Sequence, residues 1–163
     1  NIQTGNIMQT TQYVPEFTAR YIDLAQREVL DERVVAAGAL SRAGAMSNTL
    51  LAQFSGIASH IMNRSNKRTS GGLPQNVVVA VTATRVLFFG YKVKGAAPVV
   101  TELALTLLRS NVRAVATPGR LATAVDFQLA DGTSFQLDSN CGDGQYRSLN
   151  DGLLLALGAA VGV

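Results

Sequence analysis

From Asn76 onward the period of the chain is that of a sheet, and this feature most limits what it can fold into. Val77-Val78-Val79-Ala80-Val81 is an unbroken run of small and β-branched residues, the pattern of a strand buried on both faces. Thr82-Ala83-Thr84 then reads as a reversal into a second strand over residues 85–93, which carries Val86, Leu87, Phe88 and Phe89. After a break at Lys94-Gly95-Ala96-Ala97-Pro98, residues 100–107 and 112–116 are two further strand candidates, parted by Arg109-Ser110-Asn111. Residues 122–129 alternate, with Val125, Phe127 and Leu129 on one side and Asp126 and Gln128 on the other. Residues 133–138 resume the alternation with Phe135 and Leu137 inward. The Asp131-Gly132 pair between them signals a tight hairpin, because both residues tolerate the positive φ angles of a type I′ turn.

Ahead of this region the period is helical. Phe17, Tyr21, Ile22, Leu24, Ala25, Val29 and Leu30 recur at helical spacing behind Pro15 and Glu16, which predicts a helix over residues 15–30. Residues 33–40, with Val34 and Val35 ahead of small residues, favour a short strand. The clearest amphipathic pattern spans residues 46–63, where Met46, Leu50, Leu51, Phe54, Ile57, Ala58, Ile61 and Met62 form one apolar face opposite Ser, Asn, Gln and Gly. The polar, basic, glycine-rich stretch over 65–74 reads as a mobile loop. A last helix is expected over 143–157, with Tyr146, Leu149, Leu153, Leu154 and Leu157 on one face, Asp143 as N-cap and Gly158 as the stop. The expected organisation is therefore a disordered or vector-derived tail (1–14), an N-terminal helix (15–31), one domain (32–158) interrupted by an inserted helix and basic loop at 46–75, and a short tail (159–163).

With 163 residues, 47% of them hydrophobic and 15% charged, the chain can bury one sizeable core, which excludes disorder and a coiled coil. One Cys forms no intramolecular disulfide, no apolar run follows a basic start, and no stretch approaches the roughly 20 apolar residues that span a bilayer. A cytoplasmic location without a transmembrane segment is expected, with peripheral association at the inner membrane as its variant. The net charge of +3 selects no partner, but no acidic residue lies between Glu32 and Glu102, while Arg33, Arg42, Arg64, Lys67, Arg68, Arg85, Lys92 and Lys94 do. Such an interval either attracts anionic groups or is balanced by acidic residues from the two ends of the chain. A hydrolase triad or a zinc site needs converging nucleophiles, bases or ligands, and the chain holds one His, His60, and one Cys, Cys141, far apart. Asp126, Asp131 and Asp138 fall on turns or the outer face of a hairpin. No catalytic, cofactor-binding or metal-ligating residue is assigned, no cofactor is expected, and neither an enzyme nor a nucleic-acid binder is the reading.

Helix, strand, inserted helix, six strands and a closing helix is an element order similar to that of a pleckstrin-homology-like barrel. The run from Asn76 to Phe89 resembles the strand, T-x-T-R turn and strand that recurs in bacterial PH-like and GRAM-like domains, and Val125 to Leu137 resembles their sixth and seventh strands. The resemblance covers roughly Glu32 to Leu157. It implies an α+β, mainly β fold: a seven-stranded antiparallel barrel closed by a C-terminal helix, with a helix inserted between the first two strands. It also implies a non-catalytic adaptor for proteins or lipids. Its basic loop corresponds here to Arg42, Arg64, Lys67 and Arg68, although the inserted helix departs from the family pattern. The expected function is a binding or assembly module for protein association, self-association included. Its alternative is peripheral binding of anionic lipid through the inserted helix and loop. The candidate contact residues are Leu50, Leu51, Phe54, Ile57, Ile61, Arg64, Lys67 and Arg68.

Overall fold

In a computed structural model, residues 14–43, 70–140 and 144–161 are described. They form helix α1 (Val14–Gln26), strands β1 (Ala36–Arg42), β2 (Asn76–Val81), β3 (Arg85–Lys94) and β4 (Ala97–Leu108), and a 3₁₀ turn at Arg109–Asn111. β5 (Val112–Thr117), β6 (Ala122–Leu129), β7 (Ser134–Asn140), helix α2 (Gly144–Ala156) and β8 (Ala160–Val161) follow. The sheet order is β4-β3-β2-β1-β7-β6-β5-β8, antiparallel throughout except for the two-residue parallel pairing of β8 on β5. The fold is thus α+β and mainly β. The N-terminal tail, the inserted helix and most of the basic loop lie outside the described residues, as do His60 and Cys141.

Two apolar cores explain the pattern of the strands. The sheet bends so that its β2–β3 half faces its β5–β7 half, and Val77, Val79, Val81, Phe88, Val125, Phe127, Phe135 and Leu137 fill the space between. Phe88 meets Phe127 edge to face at 5.2 Å, and Phe127 stacks on Phe135 at 5.1 Å. The alternate side chains of the same strands, Ala37, Ala39, Val78, Ala80, Leu87 and Phe89, meet Tyr21, Leu24 and Ala25 of α1. β2 is buried on both faces for this reason, as its unbroken apolar run predicts. The buried side chains of α1 cover its own sheet.

α2 locks the two halves of the sheet together. β1 and β7 pair only at Ser41–Asp138 and Arg42–Leu137, and Asn150 of α2 occupies the gap where they part. Its Oδ1 accepts from the Ala39 N–H at 2.8 Å, and its Nδ2 donates to the Ala39 carbonyl at 2.8 Å and to Ser139 Oγ at 3.0 Å. A side-chain amide here does the work of a neighbouring strand's peptide group. Gly38 permits the approach: a Cβ there would stand 2.5 Å from Leu153 Cδ2 and 2.8 Å from Asn150 Oδ1. Ala43 and Ser70 meet beside β7, where buried Ser70 accepts from the Ala43 N–H at 2.8 Å and donates to the Gln136 carbonyl at 2.7 Å.

Four expectations are corrected. α1 ends at Gln26, not at Leu30, because the Gln26 side chain donates to the carbonyls of Val29 and Glu32 and accepts from the Val34 N–H, diverting the chain from the helix. Leu30 is 92% exposed. The first strand starts at Ala36 and runs on to Arg42. The Asp131-Gly132 turn is not type I′, since only Gly132 has positive φ, at 89°. Leu129 N bonds Thr133 O and Gly132 N bonds Leu129 O, so Ala130, Asp131 and Gly132 form a longer hairpin loop with glycine at its left-handed position. Finally, the sheet is open and not a closed barrel: β4 ends one side, and the edge of β5 is taken by β8, placed there by the bonds Gly158 N to Leu155 O and Ala159 N to Leu154 O that terminate α2.

Candidate functional site

Among the described residues, the basic side chains of the interval have different surroundings. Arg42 is buried, donates to the Leu73 carbonyl at 3.2 Å, and has its pKa lowered by that burial. Arg85 closes the T-x-T-R turn: Thr82 Oγ1 accepts from the Arg85 N–H at 2.9 Å, while Arg85 Nε and Nη2 reach Glu32 at 2.7 Å and Asp31 at 2.6 Å. Thr84 Oγ1 donates to the same Glu32 carboxylate at 2.8 Å. That hydroxyl first, and Arg85 second, hold Glu32 below the usual carboxylate range, and the same carboxylates raise Arg85. Acidic residues ahead of the sheet thus balance this part of the interval. Arg33, Lys92 and Lys94 are exposed. All eight candidate contact residues, Leu50, Leu51, Phe54, Ile57, Ile61, Arg64, Lys67 and Arg68, lie outside the described residues.

The described residues present a different surface, the free edge of β4. It is the longest strand of the sheet, Ala97–Leu108, and it stands at the end of the strand order. Arg109 N bonds Thr84 O in register with the pairs Leu108–Arg85 to Leu105–Phe88. Antiparallel ladders alternate, so Leu107 and Leu105 bond to β3 while Thr106 turns its N–H and C=O, and Leu108 its N–H, to the free edge. At the other end, Gly95 with φ 62° and Ala96 with negative φ make a two-residue type II′ hairpin, whose closing pair is Lys94–Ala97. By the same alternation Pro98 and Val100 face outward. Two register shifts lie between these stretches, which leave Thr101 and Ala104 without opposite residues in β3. The two bulges cancel in phase, so both flanks of β4 offer the backbone of even-numbered residues to the same side.

At its C-terminal end this edge runs into a cleft of about 400 Å³, lined by Thr106, Leu107, Leu108, Asn111, Leu129, Ala130 and Asp131. Asp131 Oδ1 accepts from Thr133 Oγ1 at 2.6 Å and from the Thr133 N–H at 2.9 Å, which hold its pKa below the ordinary value, so the carboxylate at the rim is anionic. Arg109 points away from it, donating to the carbonyls of Thr82 and of Ala156 at the end of α2. Residue-type patterns gave no hint of this edge. The available signal is that 99–108 is apolar at odd and even positions alike and contains neither Lys nor Arg.

Among the described residues no helix is long and apolar enough to cross a membrane. Comparison of the chain with family models, with curated proteins and with solved structures returns no match.

Proposed function

We propose that the chain is a non-catalytic binding or assembly module on a PH-like scaffold, and that its work is protein–protein association, including self-association. The observation that carries this reading is the β4 edge: outward backbone groups, with Val99 38%, Leu103 55% and Leu108 55% exposed beside them. Strand addition to an edge is a recurrent mode of recognition, and β4 carries neither Lys nor Arg between Val99 and Leu108. The buried polar side chains support the same reading, since Asn150, Ser70 and Thr82 spend their hydrogen bonds on joining elements. The apolar face of residues 46–63, with Arg64, Lys67 and Arg68 behind it, is the second contact region of this proposal. Light scattering across a dilution series, beside co-flotation with anionic and neutral vesicles, tests it. A mass above the monomer that falls on dilution, with no flotation, is expected. A monomeric mass at every concentration together with salt-sensitive flotation on anionic vesicles alone would overturn it in favour of lipid binding.

A further inference from the structure

We infer that the Tyr21–Tyr146 contact is an oxidative cross-linking site, at which a one-electron oxidant joins α1 to α2 through a carbon–carbon bond between the two phenol rings. The site is independent of the β4 edge and of what binds there. The chain has four tyrosines and no Trp, so phenols are the side-chain rings that yield an electron most readily. Three of the four, Tyr21, Tyr91 and Tyr146, meet at one place, brought there by α1, β3 and α2.

Geometry selects the pair. Tyr21 Oη and Tyr146 Oη lie 2.9 Å apart, and the ring centroids are 6.0 Å apart at an interplanar angle of 66°. With the hydroxyls in contact, the rings meet by the ends that carry the ortho carbons, the atoms that couple when two phenoxyl radicals combine. Phe17 packs on both rings, with its centroid 5.2 Å from that of Tyr21 and 5.0 Å, edge to face, from that of Tyr146, and so holds the pair from the side. Tyr91 is set differently, its ring 6.1 Å from Tyr21 and perpendicular to it at 88°.

Tyr21 is 2% exposed, and burial keeps it a neutral phenol, whereas Tyr146 is half-buried and is where the oxidant acts. Hydrogen peroxide turned over by a haem peroxidase takes an electron from Tyr146, whose phenolic proton leaves to water. The hydrogen bond relays the radical: the hydroxyl hydrogen of Tyr21 passes to the Tyr146 oxygen and leaves a phenoxyl at Tyr21. A second oxidation at Tyr146 supplies the other radical. The two ortho carbons then bond, and the hydrogen on each moves to its own phenoxyl oxygen, restoring both phenols. The pair has lost two electrons and two protons, and one peroxide has become two waters. Tyr21 and Tyr146 are 125 positions apart in the chain, so the link closes a long loop and fixes the first described helix on the last.

The test treats the full chain carrying Cys141→Ser, which removes the one competing thiol, with hydrogen peroxide and a haem peroxidase. Dityrosine fluorescence is expected in a band that stays monomeric on a denaturing gel. After trypsin, mass spectrometry is expected to find peptide 21–27 joined to peptide 121–147, lighter by two hydrogens than their sum. Tyr146→Phe, which keeps the ring, is expected to abolish the fluorescence, and Tyr91→Phe to leave it in place. A link that maps to Tyr91 or Tyr13, a product joined only between chains, or no link in a chain whose circular dichroism shows it still folded would overturn the inference. Because the mapping is done on a chain that keeps all four tyrosines, the result does not depend on either Phe variant folding.

Discussion

At the scale of single residues, Asn150 is the clearest case of chemistry in the service of architecture. The sequence places it on the apolar side of a helix between Leu149 and Leu153, where a polar residue looks out of place. Its reason is the gap between β1 and β7, where Ala39 would otherwise have a buried N–H and C=O with no strand opposite. Asn150→Leu keeps the volume and removes all three bonds. It is expected to cost roughly 2–4 kcal/mol in urea unfolding, because two backbone groups are left buried and unsatisfied. A loss of under about 0.5 kcal/mol would show that the seam closes without the amide. Helical spacing marks which residues of α2 are apolar but cannot say that the buried face needs an amide, since the gap is created by strands distant in sequence.

At the scale of elements, α1 meets α2 and β3 through a group of rings. Tyr21 Oη lies 2.9 Å from Tyr146 Oη, and the Tyr21 ring packs against Phe17, Tyr91 and Tyr146 at 5.2, 6.1 and 6.0 Å. Burial, then the bond to Tyr146, raises the Tyr21 phenol well above its ordinary value, and burial pushes Tyr91 up to about 12. A group whose folded pKa is raised contributes stability that is complete below its unfolded value and is lost as the pH rises beyond it. Stability measured by urea titration is therefore expected to fall as the pH climbs above 10.0, the ordinary tyrosine value, and Tyr21→Phe is expected to make that fall shallower. An identical alkaline fall in the variant would mean that α1 does not hold Tyr21 out of water. The existence of α1 is legible in the spacing of Phe17, Tyr21 and Leu24, and its end is not. Val29 and Leu30 continue the apolar rhythm, but the Gln26 amide competes for the backbone beyond it. The strands were more readable, because β-branched runs, alternation and the T-x-T-R turn are local signals. Their neighbours were less so. Closure depends on what reaches the edge of β5, and Ala160–Val161 is too short to announce itself as a strand.

At the scale of the whole molecule, one face of β1 to β3 is buried by the opposing half of the sheet and the other by the helices, while among the described residues β4 ends the strand order beside the cleft. The apolar excess of β4 is visible in the sequence, but its position at the edge comes from strand order, so a pattern reading assigns those leucines to the core. Regions 46–63 and 64–68, where the sequence places its candidate contacts, lie outside the described residues. The central claim, that β4 is an association edge, predicts a change at its own backbone. The most direct measurement is amide hydrogen exchange at Val100, Thr106 and Leu108 across a dilution series, with Val78 and Val79 as internal references. The account predicts that exchange at these three amides slows as concentration rises while the references hold steady. Equal rates at every concentration, in a sample whose mass shows it to be associated, would place the contact elsewhere and contradict the claim.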